Sequence, residues 1–479
     1  MKRFIPNQSP GGQTRREFLW QAGGGFAGLG LIDLLSRDQA FGAERPIHFP
    51  AKAKHVIFLF MNGGPSQVDT FDPKPELSKW HGKKYTGKVK VGSNNRPVGH
   101  LTQSTFKFQN HGQSGLPISS LYPHLSEHAD DLCVLRSMYT DTAAHASGCI
   151  QMNTGSVTIG KPCLGSWLSY GLGTQNENLP SFVVMTDPRG GPIGSASNWS
   201  SGYMPAAYQA TTFRSAGQPL LNLATPTGTT DRAQRRSLDL LKELNGQHAE
   251  ARAKQGIVDN ELLARIESYE LAYRMQTAAA QAVDLEKESA PTRTMYGLDE
   301  KLTSDFGRKC LITRRLIERG VRFIQLYSGG GHIEDTWDGH NDCISNHTLH
   351  AGETDQPIAA LITDLKRTGL WDETLLVWGG EFGRTPTSEG VDKPGRDHNW
   401  HGFTMWLAGG GVKGGQAIGA TDELGFDAVE DRAHVSDLHA TILHLMGLDH
   451  EKLTYFHQGL DQRLTGVTRD IQLIRKALA

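Results

Sequence analysis

Residues Thr374 to His401 read TLLVWGGEFGRTPTSEGVDKPGRDHNWH. The apolar run Leu375 to Trp378 has the length and composition of a strand buried on both faces, and it stops at Gly379-Gly380 before delivering Glu381. An acidic side chain thus stands where a parallel strand ends. In open α/β sheets ligands bind in the crevice beyond the carboxyl ends of the strands, where glycine lets backbone come close. Arg384 follows, and Asp397, His398 and His401 arrive on the same polar loop system. Carboxylate, imidazole and guanidinium together point to a site for a metal ion and an oxyanion. A plainer reading pairs Glu381 with Arg384 and lets His398 cap a helix.

Outward from this stretch the arrangement repeats. Val56 to Phe60 is a continuous apolar run that empties into Asn62-Gly63-Gly64-Pro65-Ser66-Gln67-Val68-Asp69 and then Asp72. Leu132 to Ser137 is a short strand candidate followed by Asp141-Thr142-Ala143-Ala144-His145-Ala146-Ser147, where Asp141 or Thr142 suits a helix cap. Side chains in that first turn face the positive end of the helix dipole, so Thr142, His145 and Ser147 are candidates for a nucleophile or an anion contact as well as for ordinary capping. Phe182 to Met185 and Val321 to Leu326 read as further strands, with a helix around Phe306 to Arg319 before the second. The second empties into Ser328-Gly329-Gly330-Gly331-His332, then Asp338 and His340, with Asn346, His347, His350 and Asp355 close behind. Hard carboxylate oxygens beside neutral imidazoles fit Zn, Mn, Mg or Ca better than a thiolate metal. Residues 73 to 120 are polar and weakly patterned and read as a long surface excursion. Residues 231 to 290, where leucines recur at helical spacing among charges, read as an inserted helical hairpin, with no heptad sustained long enough for a coiled coil.

Composition narrows the function classes. The 49 Lys and Arg against 51 Asp and Glu leave no electrostatic footprint for nucleic acid. Five cysteines show neither a CxxC pair nor regular spacing, so zinc-finger and thiol-redox readings lack support. Thr14-Arg15-Arg16-Glu17-Phe18-Leu19, followed by a weakly apolar Gly-rich stretch, resembles a twin-arginine export motif. Residues 1–43 are therefore expected to be a signal segment read by the twin-arginine export machinery, with 44–479 as one domain in the periplasm or outside the cell. Asp33 makes the segment too polar to span a bilayer stably.

The stretches NGGPSQVDTFDPKP (Asn62 to Pro75), VWGGEFGRTP (Val377 to Pro386), RDH (Arg396 to His398) and LAGGGVKGG (Leu407 to Gly415) resemble the signatures of an exported family known as domain of unknown function fifteen-oh-one, related to sulfatases and alkaline phosphatases. The resemblance covers nearly all of the mature chain. It implies the alkaline-phosphatase-like α/β fold, a three-layer sandwich with a mostly parallel sheet between helices and metals at its carboxyl edge. Val435 to Leu448 is similar to the late helix that sulfatases carry. Carried over by residue, Asn62 stands where the superfamily has its first-strand metal aspartate, Asp338 and His340 resemble the middle metal pair, and His398 resembles the late metal histidine. Glu381 takes the place of the aspartate in an Asp-His step, and Phe382 replaces the histidine that should follow it. The helix ending Asn153-Thr154-Gly155 resembles the nucleophile helix, yet counting back from Gly155 lands near His145 instead of a Ser, Thr or Cys. No C-x-P-x-R run is present, so the formylglycine of true sulfatases is not generated here.

The resulting expectation is a hydrolase of sulfate or phosphate esters that depends on a divalent metal ion and acts on an anionic small molecule or glycan. Arg384 would hold a non-bridging oxygen, and either Thr142 attacks or a metal-activated water does so with His145 as acid or base. A second reading is a non-catalytic relative that binds an anionic glycan or a protein partner. A third, a serine esterase using Ser66, conflicts with GGPSQ, which lacks the GxSxG elbow.

Overall fold

The structure is a computed structural model that describes residues 47–86, 99–214, 220, 225, 227–255, 260–388 and 393–479. The twin-arginine motif and the rest of residues 1–43 lie outside the described residues.

Continuous apolar runs become strands buried on both faces. The central ones are β1 (His55–Met61), β2 (Leu132–Tyr139), β3 (Phe182–Met185), β4 (Thr211–Phe213), β5 (Phe323–Ser328), β6 (Thr374–Gly379), β7 (Phe403–Gly409), β8 (Gln416–Ile418) and β9 (Ala433–His434). They form a nine-stranded sheet in the order β8-β2-β7-β6-β1-β5-β3-β4, with β9 also pairing β2. Every pairing is parallel except the two made by β7, which is antiparallel to both β2 and β6. The short run Phe403 to Leu407 carries no period of its own that marks it as a strand in the sequence, and the sheet places it as an interior antiparallel strand.

Helices cover both faces, as side chains that alternate across the strands require. Ile57, Leu59 and Met61 face α5 (Ser304–Ile317) and α6 (Cys343–Arg367), whereas Val56, Phe58 and Phe60 face α1 (His145–Thr154), α2 (Leu164–Leu172) and α7 (Val435–Leu445). The remaining long helices are α3 (Asp231–Ala253), which buries no residue, and α4 (Asn260–Val283), which buries Ala264, Ile266, Met275, Ala279 and Ala282. Arg235 of α3 forks onto Glu270 of α4 at 2.7 and 3.0 Å. The reading of residues 73–120 as a surface excursion is corrected: a helix at Pro75–Trp80 and a hairpin of Phe108–His111 with Leu116–Ser119 bury Leu77, Leu116 and Ile118. Their elements are too short for a periodic signal. No helix among the described residues is long and apolar enough to cross a membrane.

The register sets where the chemistry sits. Phe60 pairs with Gly379 and Met61 with Ser328, so β1, β5 and β6 end level and Asn62, Gly329 and Gly380 leave the sheet at one edge. The start of β7 meets the end of β2, Phe403 opposite Met138, which brings the loop carrying His398 to the same edge.

Two histidines in the layers are held neutral. Burial pushes His439 of α7 down to about 4 and His347 of α6 down to about 3. His439 Nε2 lies 2.8 Å from the Met152 carbonyl, and His347 Nε2 accepts the Ser66 amide at 2.8 Å. Unfolded histidine titrates near 6.5, so the unfolded chain gains these protons first. The stability they allow is fully present above about pH 6.5 and is lost as pH falls towards 4, at about 1.4 kcal/mol per pH unit for each histidine. Urea midpoints measured from pH 7 to 5 should fall accordingly, and His439→Asn should flatten part of the slope; a midpoint that stays level would refute this.

Candidate metal centre

Three loops and one helix start meet at the carboxyl edge. Gly63, which follows β1, holds φ 109°, and a Cβ there would lie 2.6 Å from the Asp338 amide and 2.7 Å from that of Trp337. Glycine is thus required for the β1 loop to lie against the β5 loop, and that contact sets the position of Asp338. His340 follows two residues later. His398 is fixed by a two-residue antiparallel pairing opposite Arg384. His145 is the first residue of α1, whose Gly148 lets the helix approach the Glu381 side chain; a Cβ there would stand 3.3 Å from Glu381 Cβ.

One ligand atom from each of His145, Asp338, His340 and His398 lies within 4.8 Å of every other. Asp338 Oδ1 is 3.1 Å from His340 Nε2 and 3.4 Å from His398 Nε2, and Oδ2 is 3.2 Å from His145 Nε2. His340 Nε2 and His398 Nε2 face each other at 2.8 Å. On the far side of two of the rings Nδ1 meets an oxygen, Glu381 Oε1 at 2.6 Å for His145 and the Ala143 carbonyl at 2.6 Å for His398, whereas Asp397 Oδ1 stands 3.9 Å from His340 Nδ1, too far for a hydrogen bond. The Phe382 ring, fully buried, packs against His145 and His398 at 4.9 and 4.6 Å between centroids.

The donor set fits a divalent cation. His145 Nε2 is buried with no hydrogen-bond partner, a costly state for a polar atom unless something else is bound, and it faces the Asp338 carboxylate at 3.2 Å. Two imidazole nitrogens turned towards each other and one carboxylate is an arrangement that a cation satisfies. Burial favours neutral His145, but Asp338 and Glu381 outweigh it and raise the imidazole to about 9. Burial also opposes ionisation of Asp338, yet Arg384, His145 and His398 hold its carboxyl well below the usual range. His340 is pushed down to about 4 by burial and by the Arg384 charge, and burial lowers His398.

The structure brings His145, Asp338, His340 and His398 together and places the other expected residues differently. Arg384 is fully buried and points inward: Nε donates to the Gly64 carbonyl at 2.9 Å, Nη1 to Arg396 O at 3.2 Å, and Nη2 to Gly63 O, with Asp338 Oδ1 2.6 Å away. It neutralises Asp338 and is turned away from any incoming oxyanion. Glu381 lies behind His145, its oxygens accepting the Gly63 amide at 3.0 and 3.2 Å. Asn62 donates to the Gly329 carbonyl at 3.3 Å, and its Oδ1 meets Cys149 Sγ at 3.6 Å. The Thr142 hydroxyl binds Ser147 Oγ at 2.8 Å and accepts the Ala144 amide at 3.2 Å, a local cap just before α1. Ser66 is fully buried and donates to Asp69 Oδ2 at 2.6 Å, which leaves it no substrate to attack. Of the six histidines between 332 and 401, His347 and His350 sit on α6 and turn into the core, His332 is exposed, and His401 faces Asp427 at 3.9 Å. The Ala143 carbonyl, which partners His398, leaves no signal in the sequence because a backbone oxygen carries no residue type.

The family model described as "Protein of unknown function (DUF1501)" matches residues 53–477. No curated protein matches the chain. Among solved structures, the chain is similar to the lipoteichoic acid synthase LtaP from Listeria monocytogenes, with TM-score 0.36 and 10% identity over 91% of this chain and 80% of that one. It is also similar to alkaline phosphatase from the Antarctic bacterium TAB5, with TM-score 0.34 and 12% identity over 84% of this chain and 100% of that one. A protein in the alkaline phosphatase superfamily from Vibrio parahaemolyticus matches with TM-score 0.33 and 12% identity over 94% of this chain and 79% of that one. The family match spans the sheet from before β1 to beyond β9 and takes in all four clustered donors, and the chain belongs to the DUF1501 family.

Proposed function

We propose that the protein is a metal-dependent hydrolase of sulfate or phosphate esters, exported by the twin-arginine route to the periplasm or the cell exterior, acting on an anionic small molecule or glycan. The observation that carries this reading is the convergence of three imidazole Nε2 atoms and one carboxylate at the sheet's carboxyl edge, at the start of α1. A bound divalent cation supplies Lewis acidity towards an ester oxygen and lowers the pKa of water. Asp338, His145, His340 and His398 hold it, and Arg384 keeps Asp338 ionised from behind. The first-turn N–H groups of α1 have no intrahelical acceptor and turn the positive end of the helix towards charge that develops on the ester. Phe382 walls one side with an apolar ring and keeps water from the His145 and His398 faces.

A second reading, a non-catalytic relative that binds an anionic glycan or a protein partner, is favoured by one observation: Thr142 and Arg384, the expected nucleophile and anion clamp, are both committed to other partners. Turnover of aryl sulfates and aryl phosphates by the purified protein decides between them. Activity on at least one ester class, lost on chelation and restored by added metal, is expected. Inertness towards both with metal restored rejects the hydrolase and leaves the binding protein.

A further inference from the structure

The geometry points to a single transition-metal ion of the Zn2+ type, held by His145, Asp338, His340 and His398, with Glu381 as an outer carboxylate that positions His145. This rests on reading the cluster as a cation site and goes further by assigning the class of ion, its number and the part played by Glu381. Three of the four donors are imidazole nitrogens and only one is an oxygen. Imidazole-rich sets suit Zn2+ and its neighbours, whereas Ca2+ collects six to eight oxygens and Mg2+ prefers oxygen and water.

The rings are set for this. A histidine that binds a metal through Nε2 donates its Nδ1–H to a carboxylate, carbonyl or water, which fixes both tautomer and ring plane. All three rings present Nε2 to Asp338, and two of them, His145 and His398, have an oxygen within hydrogen-bond reach of Nδ1. The shortest carboxylate partner is Glu381, which is fully buried and anchored by the Gly63 amide, and Gly63 is the same residue that packs on the Asp338 amide. Glu381 therefore ties the helix donor His145 to the loop donor Asp338. His145 Nε2, buried without a hydrogen-bond partner and 3.2 Å from Asp338 Oδ2, is the donor that an ion between the four residues would satisfy. Among the described residues this is the only such group of donors, and it has room for one ion.

The test is metal binding by the full chain without substrate. Protein stripped by chelator should take up one equivalent of Zn2+, at least about 1000-fold more tightly than Ca2+ or Mg2+, because the donors are nitrogen-rich. His145→Ala should weaken Zn2+ by at least about 100-fold, and Glu381→Gln by about 10- to 100-fold. Co2+ in place of Zn2+ should give a visible absorption band that shifts in Glu381→Gln, a change that loss of packing alone would not produce. His340→Ala, at the more exposed ring, serves as a second ligand variant should His145→Ala fail to fold. Ca2+ binding as tight as Zn2+, two equivalents of Zn2+, or wild-type affinity in both ligand variants would overturn the assignment. Zn2+ uptake with no ester turnover would support it while rejecting the hydrolase reading, so the two fail separately.

Discussion

Asp338→Ala should abolish metal binding and lower the stability of the metal-free protein by about 3 kcal/mol, because it strips the partner from a buried guanidinium. Arg384 is fully buried, and among the described residues Asp338 is the only carboxylate paired with it. Its remaining partners are backbone carbonyls of Gly63, Gly64 and Arg396, which satisfy N–H groups but carry no full charge. In the variant the positive charge also stands beside His145, which loses one of the two carboxylates that raise it to about 9. Asp338→Asn should lose metal equally while costing less stability, since the amide keeps the shape and one acceptor oxygen. Urea unfolding of the metal-free forms measures the first effect and metal titration the second. Wild-type stability in Asp338→Ala would show that the carbonyl cage alone neutralises Arg384.

A comparable loss is expected beyond the cluster. Asp69, in the short helix Gln67–Thr70 that follows β1, pairs with Arg396 at 2.7 Å from Oδ2, and both side chains are buried. Arg396 also donates to the carbonyls of Thr102 and Thr385, while Asp69 accepts the Ser66 hydroxyl, so the pair stitches three loops together. Burial opposes ionisation of Asp69, but Arg396 and Ser66 hold its carboxyl below the usual range. Asp69→Ala should cost about 3–5 kcal/mol, the usual penalty for leaving one member of a buried pair alone. The combination Asp69→Leu with Arg396→Met should cost less than Asp69→Ala, because no uncompensated charge remains. Denaturation midpoints for the two variants test this, and an equal or larger loss in the double variant would contradict it. Neighbouring backbone couples the effect to the metal centre: Arg396 N donates to the Gly339 carbonyl at 2.9 Å, between Asp338 and His340.

Several parts of the architecture were legible in single stretches of chain. The runs Val56 to Phe60, Leu375 to Trp378 and Phe182 to Met185 announce buried parallel strands because both faces are apolar, and all three are strands here. Helix α6 was not legible, since its first turns carry His347, His350 and Asp355 at buried positions, where they resemble ligands by type. His347 instead accepts a backbone amide and His350 pairs with Glu353 at 3.0 Å. Residue type marks a histidine as able to bind metal; which way its ring turns depends on the helix face, and short polar segments give no period from which to read that face.

The sequence by itself determined that glycine-ended apolar strands deliver Asn62, Asp338, Glu381 and a late histidine to one edge, since that follows from local composition and the connectivity of a parallel sheet. Only the tertiary structure decided which of them converge. His145 joins the donors and Glu381 stands behind it because α1 docks through Gly148 against the end of β6; Arg384 is turned inward because the Gly63 and Gly64 carbonyls close over it. Those contacts join residues far apart in the chain, and their geometry is fixed by packing between layers, which no local pattern encodes.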